Sequence, residues 1–287
     1  MPNSLVHNAY GKSNVRLTKV TRHENGRHDL LEVSVDIELQ GAFEKSYTHG
    51  DNSALVATDT MKNTVYALAR QHTFNCIEVF GQLLAAHFVA NNPQVAQATI
   101  RLSQSPFQRI AVNGRPHDHA FFGGGSERRT ATVTVTRDRT TISAGVDGLL
   151  ILKTTASAFE KFQRDRYTTL KETRDRIFAT ILQMEWTYAA ASACPDYNAA
   201  HAKARDAALG VFATNFSDAV QQTLYQMGDE VLNVLPEVSE VTLTMPNKHR
   251  ILANLAPFEL TNDNEIFVTT DEPFGLIRGT VKRGGGA

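Results

Sequence analysis

The chain has 287 residues, 42% of them hydrophobic and 21% charged, with 29 Lys and Arg against 30 Asp and Glu. That length allows about two structural units or one large one with a sizeable core, and the balanced charge argues against a generic polyanion binder such as a nucleic-acid protein. No apolar run approaches the roughly 20 residues that cross a bilayer, and two cysteines, Cys76 and Cys194, are too few for a disulfide framework or a cysteine-built metal site.

In chain order, the first predicted element is a strand over 14–21, joined by a turn near Asn25-Gly26 to a second strand. In that second strand Leu31, Val33, Val35, Ile37 and Leu39 alternate with polar residues. Period two places the apolar set on one face of a half-buried antiparallel strand. Helices follow over 60–70 and 77–89. In the latter Phe80, Leu83, Leu84, His87 and Phe88 recur at helical spacing. Strands are expected over 95–102 and 118–122, the second closed by Gly123-Gly124-Gly125. The second half reads as strands over 130–136, 141–152 and 177–188. A helix then starts at Asp196, a good N-cap after Pro195, and runs to about Asn215. A second starts near Ser217-Asp218, with Val220, Leu224, Met227 and Val231 as its apolar stripe. Strands over 240–245 and 250–255 end the pattern. Both halves thus place paired helices between strands, which predicts an α+β fold with antiparallel sheets and helices on one face. The boundary is expected in the glycine loop, dividing the chain into 1–127 and 128–287.

Few short motifs carry chemistry on their own. His117-Asp118-His119 offers two imidazoles but no evident third metal ligand, and the plainer reading is a hydrogen-bonded polar segment. Gly123-Gly124-Gly125 lacks the spacing of a dinucleotide loop, and no nucleophile-elbow, phosphate-loop or Cys-x-x-Cys pattern occurs. Three polar stretches stand out. Thr58-Asp59-Thr60 opens a predicted helix, whose first N–H groups either hold an anion or carbonyl oxygen or are capped by those side chains. Residues 164–176 are rich in Arg and Thr between strands. Pro246-Asn247-Lys248-His249 ends a strand with an amide, an amine and an imidazole. The residues alone support an anion site in an α+β protein and go no further.

The same stretches carry a resemblance. Tyr10-Gly11-Lys12 with Val15-Arg16-Leu17 comes first. Val56-Ala57-Thr58-Asp59-Thr60 follows, with Lys62-Asn63-Thr64-Val65-Tyr66. Then come Phe159, Arg164-Asp165, Tyr167-Thr168-Thr169-Leu170, Glu172-Thr173 and Asp175-Arg176-Ile177, and last Val220-Gln221 and Pro246-Asn247-Lys248-His249. In that order and approximate spacing they resemble the urate oxidases (uricases), over nearly the whole chain. The resemblance implies the tunnelling fold, with two tandem ββααββ units per subunit, antiparallel barrels and a homotetramer with active sites at subunit interfaces. It implies oxidation of urate by O2 to 5-hydroxyisourate with release of H2O2, and no metal or organic cofactor.

Roles implied by the resemblance attach to the matching residues. Lys12, Thr58 and His249 form a proton relay, chemistry that an amine beside a hydroxyl and an imidazole suits. Asn247 and Thr58 hold O2 or water, Phe159 stacks on the purine, and Arg176 and Gln221 clamp its polar edge, for which the planar guanidinium fork is apt. Asp59, Leu170 and Val220 complete the substrate site, with backbone N–H groups of Thr58, Asp59 and Val220 as donors. Thr58 and Asp59 are expected from the neighbouring subunit. Arg174 and Ile181-Leu182 depart from the usual pattern outside the site, and the chain ends sooner than several relatives. The competing readings are a metal-dependent pterin enzyme of the same fold and a non-catalytic purine binder. The N-terminus lacks a leader pattern and the tail Arg283-Gly284-Gly285-Gly286-Ala287 is not a peroxisomal address; a bacterial cytoplasmic location is expected.

Overall fold

The computed structural model describes residues 3–190, 196–270 and 272–284; Met1, Cys194, Pro195 and the last three residues lie outside them. The chain clusters into two units. One comprises Met1–Gly145 and Thr187–Asn198, the other Val146–Trp186 and Ala199–Ala287.

Unit 1 begins with the hairpin β1 (Tyr10–Arg22) and β2 (His28–Gly41), antiparallel, with Val15 opposite Val35. The alternation read from β2 is realised: Val33, Val35, Ile37 and Leu39 are all buried. A short α1 (Glu44–His49), unexpected from the sequence, precedes α2 (Thr58–Gln71) and α3 (Ile77–Asn91). Strand β3 (Val95–Ser105) pairs antiparallel with β2. The predicted strand over 118–122 belongs instead to a separate two-stranded hairpin of β4 (Phe107–Val112) and β5 (Arg115–Gly123). It is β6 (Arg128–Thr136) that lies next to β3, with Ile100 opposite Val133. The expected boundary at 127/128 falls at the head of β6, whereas compactness carries unit 1 on to Gly145, within β7 (Thr140–Lys153). Helix α3 packs on β3 and β6. The contact is close because Gly81 has no Cβ; one there would meet Leu102 Cδ1 and Val133 Cγ2 at 2.8 Å.

In unit 2 the strand order is β7, β8 (Phe178–Tyr188), β9 (Val238–Asn247) and β12 (Gly275–Lys282), with β7 and β8 contributing residues to both units. Between β8 and β9 (Val238–Asn247) come α4 (Tyr197–Thr214) and α5 (Val220–Val234). The carboxylate of Asp196 accepts the Asn198 N–H at 3.0 Å, as an N-cap does. Val220, Leu224, Met227 and Val231 are buried, so the stripe on α5 is core. The strand expected over 250–255 shrinks to β10 (Arg250–Leu252), which among the described residues pairs only with β11 (Phe267–Thr269). On its side away from β8, β9 pairs with β12 (Gly275–Lys282), antiparallel, with Leu243 opposite Gly279. Here too a helix meets the sheet at a glycine: a Cβ on Gly228 of α5 would lie 2.7 Å from Val281 Cγ2. The architecture is α+β with antiparallel sheets. Among the described residues no helix is long and apolar enough to cross a membrane. Cys76 and the four described methionines, Met61, Met184, Met227 and Met245, are buried.

Candidate active site

Of the ten expected site residues, Lys12, Thr58 and Asp59 lie in unit 1 and the other seven in unit 2. Within unit 1, Lys12 is half-buried on β1 opposite Ile37, immediately before a bulge at Asn14. There the backbone takes φ 59° and the Asn14 N–H donates to the Asp36 carboxylate at 2.5 Å. Thr58 and Asp59 are the first two residues of α2. The reading of Thr58 or Asp59 as a cap is not realised. The N-cap is Ala57, which has no capping side chain, and the Asp59 carboxylate turns away to Lys62 Nζ at 2.5 Å and Asn63 Nδ2 at 2.9 Å. The first turn closes with the Met61 N–H on Ala57 O at 3.1 Å, so the N–H groups before it face outward as donors at the positive end of the helix dipole. The Lys62 hydrogen bond holds the Asp59 carboxyl below the usual carboxylate range, and the charge of Lys12 adds to the effect. Helix α2 packs against β1, the strand that carries Lys12.

Unit 2 assembles its group by weaving three irregular segments. Ser157 bridges Ser217: the Ala158 N–H donates to Ser217 O at 2.7 Å and the Ser217 N–H to Ala156 O at 3.0 Å. The Arg176 N–H donates to Ser157 O at 3.0 Å, and Phe159 and Thr173 exchange backbone hydrogen bonds at 2.8 and 3.1 Å. These bonds set Arg176, Phe159 and the head of α5 side by side. The guanidinium carbon of Arg176 lies 5.3 Å from the Phe159 ring centre, with Nε 3.4 Å from Ser157 Oγ. Burial lowers the Arg176 pKa from its ordinary value; guanidinium remains charged at any physiological pH. Phe159 also stacks on Phe162, rings 5.0 Å apart and 10° from parallel.

Helix α5 starts at Val220, later than the sequence suggested, because Ser217 is not its cap. Ser217 is fully buried; its Oγ accepts from the equally buried Thr223 hydroxyl at 2.8 Å. The N-cap is Ala219, again without a capping side chain, and the first bond inside the helix runs from the Thr223 N–H to Ala219 O at 3.2 Å. The heads of α2 and α5 thus share one design, an alanine cap followed by open N–H groups. Gln221 is exposed on the first turn. The Lys248 N–H bonds Ala179 O at 2.8 Å, which fixes half-buried Asn247 and His249 beside the start of β8, three residues beyond Arg176. Leu170 stands apart, 56% exposed on the 164–176 segment.

The serines and Thr223 were missed by sequence reading; they carry no periodicity, and Ser217 imitated a cap. His117, Asp118 and His119 lie on β5, where Arg109 Nη1 donates to the carbonyls of His117 at 3.3 Å and Asp118 at 2.7 Å. Among the described residues no three His, Cys, Asp or Glu side chains are grouped to hold a metal ion. Arg174, the first departure, pairs with Glu160 at 2.9 Å on the surface.

The sequence profile of the family described as Uricase matches residues 8–134 and 142–278. The chain belongs to the uricase family. It is 43% identical over 281 residues to a uricase of Arthrobacter globiformis, covering 98% of this chain and 90% of that protein. It is 39% identical over 283 residues to a uricase of Dictyostelium discoideum, covering 98% of each. The crystal structure of the Arthrobacter globiformis uricase superimposes with a TM-score of 0.94 at 42% identity, covering 100% of this chain and 97% of that one. A urate oxidase structure from Bacillus sp. TB-90 gives 0.83 at 27% identity, covering 96% and 99%.

Proposed function

We propose that this chain oxidises urate with O2 and water to 5-hydroxyisourate and H2O2, using neither a metal ion nor an organic cofactor. The observation that carries this reading is the span of the family match, which contains all ten site residues. The urate anion lies against Phe159 in the offset geometry aromatic faces favour. Arg176 and Gln221 clamp its pyrimidine edge, and the open N–H groups of Thr58, Asp59 and Val220 donate to its remaining acceptors. Leu170 adds apolar contact at the rim. Lys12, Thr58 and His249 remove a proton from urate and deliver protons to the departing peroxide; Asn247 and Thr58 hold O2, and later water, over the ring. Thr58 and Asp59 of one subunit serve the Phe159 and Arg176 of its neighbour, within a homotetramer in the cytoplasm. The test is the loss of near-ultraviolet urate absorbance with matching O2 uptake by chelator-treated enzyme. Activity that vanishes with chelator and returns with added metal would overturn the reading.

A further inference from the structure

The hydroxyl of Tyr10 holds both backbone groups of a single distant residue. It accepts the Val56 N–H at 2.7 Å and donates to Val56 O at 3.1 Å. Tyr10 stands two residues before Lys12 on β1, so the two side chains leave the strand on the same face; Val56 stands two residues before Thr58. The regular pairing of Tyr10 with Leu39 and of Lys12 with Ile37 makes this piece of β1 rigid up to the bulge. The segment leading into α2 has no helix or strand of its own from Gly50 to Ala57. Besides the Tyr10 clip it is tethered to the body of unit 1 by Gln94 Nε2 on Ala54 O at 2.8 Å. The Tyr10 ring is itself fixed, edge-on to the fully buried Phe43 at 4.9 Å and 90°. The residue before it is pinned as well, since the Tyr47 hydroxyl donates to Ala9 O at 2.9 Å.

We infer that Tyr10 is a positioning residue for proton transfer, setting Thr58 against Lys12 by gripping the backbone of Val56. The inference rests on the roles proposed above for Lys12 and Thr58. A hydroxyl that uses its donor and its acceptor on one residue fixes that residue in both distance and rotation, which a single hydrogen bond does not do. Desolvation raises the Tyr10 pKa further above neutrality, so the phenol keeps the proton it donates to Val56 O. No atom of Tyr10 needs to touch the substrate; it acts on where Thr58 sits.

Tyr10→Phe removes one oxygen and keeps the ring against Phe43. The expected result is a kcat lower by between about tenfold and about 100-fold, the scale of a misplaced reacting group, with a much smaller rise in KM for urate, because Phe159, Arg176 and Gln221 still hold the anion. Hydrogen exchange of the bonded amides of Asp51, Ser53, Leu55 and Val56 should accelerate while β2 and β3 keep their protection, which reports the loosened segment in a folded enzyme independently of activity. In Tyr10→Phe/Thr58→Ala the tyrosine change should add little to the slow turnover of Thr58→Ala, because Tyr10 acts through Thr58. A Tyr10→Phe enzyme with normal kcat, or a loss that multiplies in full onto that of Thr58→Ala, overturns the inference. A Thr58→Ala enzyme with normal turnover overturns the relay itself, and the role of Tyr10 with it.

Discussion

The Arg176 guanidinium is fastened on two sides, by Nε on Ser157 Oγ at 3.4 Å and by its position 5.3 Å from the Phe159 ring centre. What it leaves for a ligand is a planar fork of donors, and an ammonium cannot reproduce that fork. Arg176→Ala should weaken anaerobic urate binding by about 2–5 kcal/mol, the range for truncating one side of a buried charged hydrogen bond. Arg176→Lys should bind nearly as poorly. Titration calorimetry without O2 measures both, and normal binding by Arg176→Lys would remove Arg176 from the clamp. Lys12 and Thr58 make a different prediction. Lys12→Met and Thr58→Ala should each lower kcat by about 10²–10⁴-fold, as positioned acid–base groups do. The double variant should be far better than the product of the two losses, since members of one relay fail together. Steady-state kinetics decides it, and independent, multiplicative losses would separate the two residues.

At the scale of elements, one ion pair ties α3, β6 and the head of α4. Glu78 is fully buried; Arg129 reaches its two oxygens at 2.9 and 2.8 Å, and also bonds Asn198 Oδ1 at 2.5 Å and Tyr197 O at 3.2 Å. Replacing Glu78 by Gln leaves the guanidinium without its counter-charge, and breaking such a buried pair costs about 3–5 kcal/mol. Thermal or urea unfolding of Glu78→Gln measures this, and an unchanged stability would mean the pair is idle. Nothing in the sequence marked that pair: Arg129 stands between the glycine loop and the strand expected over 130–136, with no motif of its own. What was legible followed from periodicity. The apolar faces of β2 and α5 declared themselves because each buries one side only. Strand β12 did not, because Gly275 and Gly279 break its pattern and Val281 is its one buried residue. The helix heads were misplaced for a related reason. Ser217 and Thr58 look like caps, yet Ala219 and Ala57 hold the cap positions, and the Ser217 hydroxyl bonds the Thr223 hydroxyl and Ala219 O instead. The site residues themselves carried no physical signal beyond polar density; their motifs in order supplied the rest.

For the molecule as a whole, the division of site residues between the two units bears on assembly. If Thr58 of one subunit serves the Arg176 of its neighbour, two inactive variants can rescue each other. A two-fold dimer presents each such contact twice. Thr58→Ala and Arg176→Ala refolded as an equal mixture pair at random, and a mixed dimer has one site with both residues intact and one with both replaced. About half the dimers are mixed, so roughly a quarter of all sites should regain full activity. Activity assays on the refolded mixture read this out, with native mass spectrometry confirming that mixed dimers formed. Mixed dimers without recovered activity would place Thr58 and Arg176 in one site from one chain.

The burial of the sulfur atoms gains meaning beside the reaction proposed above, which makes peroxide at every turnover. Peroxide attacks exposed thioethers and, above all, thiolates. Met61, Met184, Met227 and Met245 are all fully buried, and burial pushes the Cys76 thiol up to about 11, so almost none of it is thiolate at neutral pH. The core that packs the helices onto the sheets thereby also keeps these five oxidisable atoms from the product. Folded enzyme exposed to millimolar peroxide should show no oxidation at these five positions by peptide mass mapping, whereas the same treatment in urea should oxidise all of them. Sulfoxide appearing at Met227 in the folded protein as fast as in the unfolded chain would show that the core offers no such shelter.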